Sequence, residues 1–191
     1  MLGLTLEHFL AESEDSLDPI GDEFEQHSRY LHRCRRVQIG PGISVVFENS
    51  QTLRLRLREL ARFARATQPQ RISRELNWYD SLLPGPSRLL ASVSVRAANR
   101  ELVRNLDRGV VELRLGSRVI PGRVRADSGG DRVVGLVRWV EFDIDRTDRE
   151  VLLDRTRSLT LVLSVGDEYH ESEPFPPAVR SSLLADLATS E

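Results

Sequence analysis

The sequence predicts an α+β protein whose largely antiparallel β-sheet is built from hairpins, with helices concentrated in the N-terminal half. Two observations lead to this prediction. Short β-rich runs flank glycine-bearing turns at Gly40-Pro41-Gly42, Gly116-Ser117 and Gly166-Asp167. Helical periodicity dominates residues 22–34 and 52–83 instead. Strands joined by tight turns pair antiparallel, whereas a doubly wound parallel sheet would need helices that alternate with strands throughout.

The chain begins with an acidic arm, residues 1–21, that is predicted to carry a short docking helix. Thr5 can cap this helix, and residues 13–21 read as a polar linker. The apolar side chains that would dock it lie close together: Leu4, Leu6, Phe9 and Leu10. Residues 22–191 are long enough for one ordinary core and are predicted to form a single α+β domain.

Between the arm and residue 84, three helices are predicted. The first covers Asp22–Cys34. The second, residues 52–66, is ambiguous, because LRLRLR alternates like a strand while Leu53, Leu57 and Leu60 recur at helical spacing; its length favours the helix. The third restarts around Pro69 and ends before Pro84-Gly85-Pro86.

The rest of the chain is predicted to be mostly β. A long strand, Arg132–Ile144, alternates apolar residues on both faces and is therefore expected to be central in the sheet. Thr147 is the predicted cap of a helix that runs to Asp154. The remaining predicted elements are the strands Arg88–Ala97, Val110–Leu115, Arg118–Ala126, Leu159–Val165 and Glu168–Glu173, and the helices Asn99–Asp107 and Pro177–Leu187.

Composition indicates a cytoplasmic protein and excludes several chemistries. The longest apolar runs are far shorter than the roughly 18 residues that a membrane span needs, and the N-terminus turns acidic at once, unlike a secretory signal. Cys34 is the only cysteine, so the chain alone forms no disulfide. All 27 basic residues are arginine, which excludes lysine Schiff-base chemistry. The sequence contains no recognised catalytic or nucleotide-binding motif, and no cofactor is expected.

Charge is segregated along the chain. Residues 1–28 carry eight acidic side chains and no arginine, whereas residues 29–108 carry sixteen arginines and six acids. Residues 109–191 return to an acidic balance, with eleven arginines and fifteen acids. A basic middle beside an acidic arm predicts either an anionic partner or pairing of the arm with the body of the same chain.

The segment from residue 35 to residue 85 carries the residues that match a known family pattern: Arg35, Arg36, Gly40, Pro41, Phe47, Glu48, Thr52, Glu59, Glu75, Leu76, Tyr79 and Leu82-Leu83-Pro84. On these residues the segment resembles the uncharacterised bacterial family catalogued as domain of unknown function 3501. The chain departs from the family pattern at Arg56 and Arg58, where glutamines are usual, and at Ala64, where the family has an acid. The likeness implies a role beside redox or peroxide metabolism, because the family is a frequent genomic neighbour of rubrerythrin and iron–sulfur oxidoreductases.

The same segment supplies the candidate polar cluster, which is Glu48, Glu59, Glu75 and Tyr79 with Arg36 opposite them. Carboxylates held together can bind a divalent cation or share a proton. Arginine–glutamate pairs between packed elements are also an ordinary structural network. The sequence leaves three alternatives open: a structural network, partner recognition, and catalysis or metal binding.

Two further groups of residues are candidates. His27, His32 and Cys34 are good metal ligands, but their spacing matches no standard zinc motif, so no metal site is predicted. The candidate docking face is a set of arginines on the predicted helices that would receive an acidic protein partner: Arg54, Arg58, Arg62, Arg65, Arg71 and Arg74. Few aromatic residues accompany them and the sequence pI is about 6.1, so nucleic acid is a poor fit.

These observations predict an accessory or interaction protein, with no assigned catalytic residue. The alternative is an enzyme or metal-handling protein that uses the candidate polar cluster. A weaker alternative is a nucleic-acid-binding protein.

Overall fold

The computed structural model describes residues 22–56, 77–79, 81–83, 85, 87–95, 100–125 and 137–188. The chain divides into two compact units. Unit 1 consists of Met1–His32 and Glu48–Leu83, and unit 2 of Arg33–Phe47 and Pro84–Glu191. The predicted arm, residues 1–21, lies outside the described residues.

Unit 2 contains one eight-stranded sheet whose paired strands are antiparallel, as the sequence predicted. Its strands, in chain order, are β1 (Arg36–Ile39), β2 (Ile43–Glu48), β3 (Arg88–Val95), β4 (Val110–Leu115), β5 (Arg118–Val124), β6 (Val137–Asp143), β7 (Leu159–Val165) and β8 (Glu168–Glu171). The hairpins β1–β2, β4–β5 and β7–β8 are those predicted from the glycine-bearing turns. Gly40, Gly116 and Gly166 adopt positive φ angles of 58°, 60° and 59°, where glycine is favoured over residues with a Cβ.

The strand order is β1-β2-β3-β6-β5-β4-β7-β8. Strand β6 therefore lies in the interior of the sheet, between β3 and β5, as its apolar pattern predicted. The two edges approach each other, because Ile39 at the end of β1 forms an antiparallel bridge with Ser172, directly after β8. The sheet is consequently a nearly closed barrel.

The core of unit 2 fills the inside of this barrel. Strand β1 shows the pattern, because exposed Arg36 and Gln38 alternate with buried Val37 and Ile39. Alternate residues of the other strands point inward as well, and Phe47 packs edge-on against Phe175, with ring centroids 5.6 Å apart. Burying these side chains is the main favourable term that closes the sheet.

Four labelled helices accompany the sheet: α1 (Asp22–Arg35), α2 (Arg100–Arg104), α3 (Arg146–Leu153) and α4 (Pro177–Ala188). A short 3₁₀ turn, Leu106–Arg108, follows α2. Helices therefore occur in both halves of the described chain, and the expected concentration in the N-terminal half is not supported.

The start of α3 corrects one prediction. The N-cap is Asp145, not Thr147. The Asp145 side chain accepts a hydrogen bond from the Asp148 N–H at 2.7 Å, and the Asp148 side chain accepts one from the Asp145 N–H at 3.0 Å. An aspartate with a second acid three residues later satisfies two helix-end donors at once, which a single threonine at residue 147 would not.

The described part of unit 1 is helical. Residues 50–56 form a helix capped by Asn49, whose side-chain oxygen accepts hydrogen bonds from the backbone N–H groups of Gln51 and Thr52. Residues 77–79 and 81–82 are helical as well. The helical interpretation of LRLRLR thus holds for the residues described, and Leu53 is fully buried, as its stripe predicted.

Candidate functional site

The candidate polar cluster is only partly within the described residues. Glu48, the last residue of β2, has a side chain with no exposed surface, and its Oε1 accepts hydrogen bonds from Arg56 Nε at 2.8 Å and Nη2 at 2.6 Å. Arg36, predicted to lie opposite, is exposed on β1. Glu59 and Glu75 lie outside the described residues.

Tyr79 is also buried, with 1% of its surface exposed. Its ring lies 5.2 Å from that of Trp78 between centroids. The arrangement around Glu48 favours the structural alternative for this residue, because an arginine already compensates the buried carboxylate.

Replacing Glu48 with glutamine is expected to lower the free energy of unfolding by about 2 kcal/mol, because the half-buried Arg56 would lose the negative charge that Glu48 places 2.6 Å from it. A loss of this size lowers Tm by about 4–8 °C in a protein of this length. Thermal unfolding followed by circular dichroism measures it. Asp143→Asn is the matched control, since Asp143 pairs with Arg88 at 2.9 Å while 63% of its side chain is exposed. An unchanged Tm for Glu48→Gln would contradict the structural role.

The candidate docking face lies mostly beyond what the structure describes. Arg54 is its described member, and its side chain is exposed on the helix of residues 50–56. Arg58, Arg62, Arg65, Arg71 and Arg74 fall outside the described residues.

The predicted absence of a metal site at His27, His32 and Cys34 stays a prediction. His32 is exposed on α1, whereas Cys34 is buried with 4% of its surface accessible. Residues two apart on a helix face directions about 200° apart, so these two side chains diverge. Among the residues that the structure describes, no group of three or more histidine, cysteine or acidic side chains is arranged to hold a metal ion.

A polar cleft of about 470 Å³ lies beside the start of α3. Its lining residues are Ser87, Arg88, Asp143, Ile144, Asp145 and Asp148. Ser87 is strained, with φ of 62°, a value that a residue with a Cβ seldom adopts.

Arginines neutralise the carboxylates of this cleft. Arg88 pairs with Asp143, while Arg118 donates to both Asp145 and Asp148. The pKa of Asp145 is lowered, first by the hydrogen bond that it accepts from the Asp148 backbone and then by Arg118. Asp145, held ionised in this way, stabilises the start of α3 and is poorly suited to act as a general acid.

A second surface stands out on the outside of the barrel, on strands β5, β4, β7 and β8. We call it the outer patch. The strand registers bring its members together on one face, away from the core: Val110, Glu112, Arg114, Val119, Pro121, Thr160, Val162, Tyr169 and Glu171.

Hydrogen bonds connect the polar members of the outer patch. Arg114 donates to Glu112 at 2.8 Å from Nε and to the Tyr169 hydroxyl at 3.1 Å. The Tyr169 hydroxyl in turn donates to Glu171 at 2.8 Å, and the Thr160 hydroxyl donates to the other Glu171 oxygen at 2.9 Å. Val162, which pairs with both Glu112 and Glu171 in the sheet, is 1% exposed between these long side chains.

These contacts shift two pKa values. The hydrogen bond from Tyr169, followed by that from Thr160, lowers the pKa of Glu171. The same bond raises the pKa of Tyr169, because the carboxylate favours the protonated phenol. The Tyr169 side chain is therefore held in one position as a neutral donor near neutral pH.

The outer patch also exposes apolar surface. Val110, Val119 and Tyr169 are 52%, 49% and 53% exposed. They account for three of the five large hydrophobic side chains that are most exposed in the described part of the chain, the others being Tyr30 and Leu153. Exposed apolar side chains gathered with an ordered tyrosine and arginine are typical of protein-binding surfaces.

The sequence analysis did not identify this patch. The alternation in VVELRL does indicate that Val110, Glu112 and Arg114 share one face of β4. It does not reveal that Tyr169, 55 residues beyond Arg114, would be bonded to it. That contact depends on the pairing of β4 with β7, which no local signal encodes.

The fold and these sites define an α/β protein built on a nearly closed antiparallel barrel, with an exposed outer patch and an arginine-neutralised cleft. The chain belongs to the family described as protein of unknown function (DUF3501), whose model matches residues 20–187. The resemblance found in the sequence is thereby confirmed. A search of curated proteins found no match.

A solved structure shares the fold. It is described as a novel protein of unknown function from Burkholderia pseudomallei K96243, with a TM-score of 0.68 and 23% sequence identity over 96% of this chain and 95% of that one. At this identity the likeness establishes the fold alone. Within the described residues, no helix is long and apolar enough to cross a membrane.

Proposed function

We propose that this chain is an accessory protein that acts by binding another protein through the outer patch. The observation that carries the proposal is that Val110, Val119 and Tyr169 are all exposed on one sheet face, where Arg114 is opposite Val119 and is bonded to Tyr169. Tyrosine and arginine supply much of the energy at protein interfaces when neighbouring contacts exclude water. The hydrogen-bond network already orders both side chains, so little rotamer entropy is lost on binding.

The resemblance to the family supports a further part of the proposal, a partner in redox or peroxide metabolism. The partner would then be an oxidoreductase of the rubrerythrin or iron–sulfur type. This part rests on the resemblance alone.

The candidate docking face remains a proposal of its own. Arg54 and the other five arginines would receive an acidic partner, or the acidic arm of the same chain. The alternative function, an enzyme or metal-handling protein, is less well supported, because Arg56 compensates Glu48 and arginines neutralise the carboxylates of the cleft.

Replacing Val110 and Val119 with serine is expected to abolish capture of the partner. The tagged protein is expressed in cells of its native host, and captured proteins are quantified by mass spectrometry. Each valine buried at an interface contributes about 1–2 kcal/mol, so losing both should reduce the partner's recovery at least tenfold.

Leu153→Ser is the matched control, since Leu153 on α3 is even more exposed, at 64%, and lies off the outer patch. The proposal requires one protein that the parent chain and Leu153→Ser both retain and that the double variant loses. Equal recovery by all three chains would refute the outer patch as the binding surface.

A further inference from the structure

The β7–β8 hairpin makes one side of the outer patch strongly acidic. Residues 167–173 contain four carboxylates and no arginine. All four are exposed: Asp167, Glu168, Glu171 and Glu173. Strand β8 is also the last strand in the sheet order, so these charges line the margin of the patch.

Tyr169 belongs to this acidic segment of the chain, and its ring already contacts a cation. The guanidinium carbon of Arg114 lies 5.9 Å from the centre of the Tyr169 ring, and Arg114 Nη1 lies 3.9 Å from Glu171 Oε2. A cation held between an aromatic ring and a carboxylate is a favourable arrangement. A basic side chain from outside would find the exposed side of the Tyr169 ring beside the Glu171 carboxylate. Glu168 alternates to the other face of β8 and pairs with His170 at 3.4 Å.

The size of the patch argues for a partner segment and against a second copy of the chain. Four strands about 4.8 Å apart and five residues at about 3.4 Å per residue define a surface of roughly 20 by 17 Å. A stable dimer needs about 800 Å² on each partner, more than twice this area. An extended segment of five to seven residues, roughly 17–24 Å long, fits it.

We propose that the outer patch binds a basic, partly apolar segment of a partner protein. Arginine or lysine side chains would lie at the acidic margin formed by residues 167–173, and apolar side chains would cover Val110 and Val119. This inference rests on the proposed function, because it assigns the chemistry of the partner to the same surface.

The test uses two fluorescein-labelled ten-residue peptides, one alternating arginine with valine and the other alternating glutamate with valine. Binding to the purified full chain is followed by fluorescence anisotropy in 50 mM salt. The basic peptide is expected to bind and the acidic peptide not to bind. The double variant Asp167→Asn/Glu173→Gln should weaken binding about fivefold to thirtyfold, because each exposed ion pair contributes about 0.5–1 kcal/mol.

The matched control is Asp107→Asn/Glu150→Gln, which removes two exposed negative charges from helical segments outside the patch. Equal weakening by the two double variants would show that only net charge attracts the peptide, and would overturn the inference. Binding of the acidic peptide as tightly as the basic one, or no binding of either, would overturn it as well.

The two experiments distinguish failure of the proposed function, which is protein binding through the outer patch, from failure of the inference that the bound segment is basic. If the valine variants lose a native partner but the basic peptide does not bind, the proposed function stands and the basic chemistry is wrong. If the valine variants retain every captured protein, the proposed function itself fails, whatever the peptide does.

Discussion

Replacing Arg180 with methionine is expected to lower the free energy of unfolding by about 3 kcal/mol. Arg180 lies in α4 and is only 7% exposed. Its guanidinium donates to four backbone carbonyls, those of Val151 at 2.9 Å, Leu152 at 2.7 Å, Asp154 at 2.8 Å and Arg157. Methionine would fill a similar volume and remove this donor. The Val151 and Asp154 carbonyls would keep backbone donors at 3.2 Å, from Asp154 and Arg157, whereas the Leu152 and Arg157 carbonyls would lose theirs. Each such buried group costs about 1–3 kcal/mol unless water replaces the donor.

The carbonyls involved explain the size of the effect. Val151 and Leu152 are in the last turn of α3, and Asp154 and Arg157 follow it. Arg180 therefore adds a donor at the end of the helix, where backbone N–H groups bond only the Val151 and Asp154 carbonyls among these four. Its positive charge also lies at the negative end of the helix dipole. Burial lowers the pKa of Arg180, yet a guanidinium stays charged at neutral pH.

Urea denaturation and thermal unfolding measure this loss, which corresponds to a fall in Tm of about 6–12 °C. Arg146→Met is the control, because Arg146 begins α3 with 93% of its side chain exposed and should contribute less than about 0.5 kcal/mol. Arg180→Lys keeps the charge but has only three donors, so it should fall between Arg180→Met and the parent chain. Equal stability of the Arg180→Met and Arg146→Met variants would show that Arg180 has no capping role.

The buried role of Arg180 could not be predicted from the sequence. Every basic residue of this chain is arginine, so residue type does not distinguish the buried Arg180 from the exposed Arg146. Position in the fold makes the difference, since Arg180 reaches backbone groups 23 to 29 residues earlier in the chain. Such long-range contacts leave no local pattern.

The same reasoning separates what the sequence predicted about the fold from what it did not. Hairpins depend on residues that are close in the chain, so turns such as Gly116-Ser117 predicted them correctly. The pairing of β3 with β6 brings Arg88 opposite Asp143 across 55 residues. The barrel order follows from such pairings, so the sequence predicted an antiparallel sheet but not its near closure.

For the candidate site, the sequence located individual groups better than their partners. It selected Glu48 but placed Arg36 opposite, whereas Arg56 is the cation that the structure brings to it. Arg56 lies eight residues after Glu48, on a helix whose direction the sequence does not define. The outer patch was missed because its members come from four separate strands.

Gly122 is the second position where a small change is expected to have a large effect. It lies in β5, opposite Val111 of β4 and Phe142 of β6, on the inner face of the sheet. A Cβ at this position would lie 2.7 Å from Val140 Cγ1, 2.8 Å from Phe142 Cε1 and 2.9 Å from the Val111 carbonyl oxygen. All three neighbours are held by core packing or strand pairing, so none moves away at low cost.

Gly122→Ala is therefore expected to destabilise the protein by about 1–3 kcal/mol, although alanine ordinarily suits a strand better than glycine. The corresponding fall in Tm is about 2–12 °C. Gly85→Ala is the matched control, because a Cβ on Gly85 would meet no atom within 4 Å. The sequence predicts that Gly122 lies within a strand, and the structure agrees. The sequence does not show the close packing inside the barrel, which explains why this residue is glycine. If Gly122→Ala melts at or above the Tm of the parent chain, the close approach of β5 to Val140 and Phe142 in this structure is wrong.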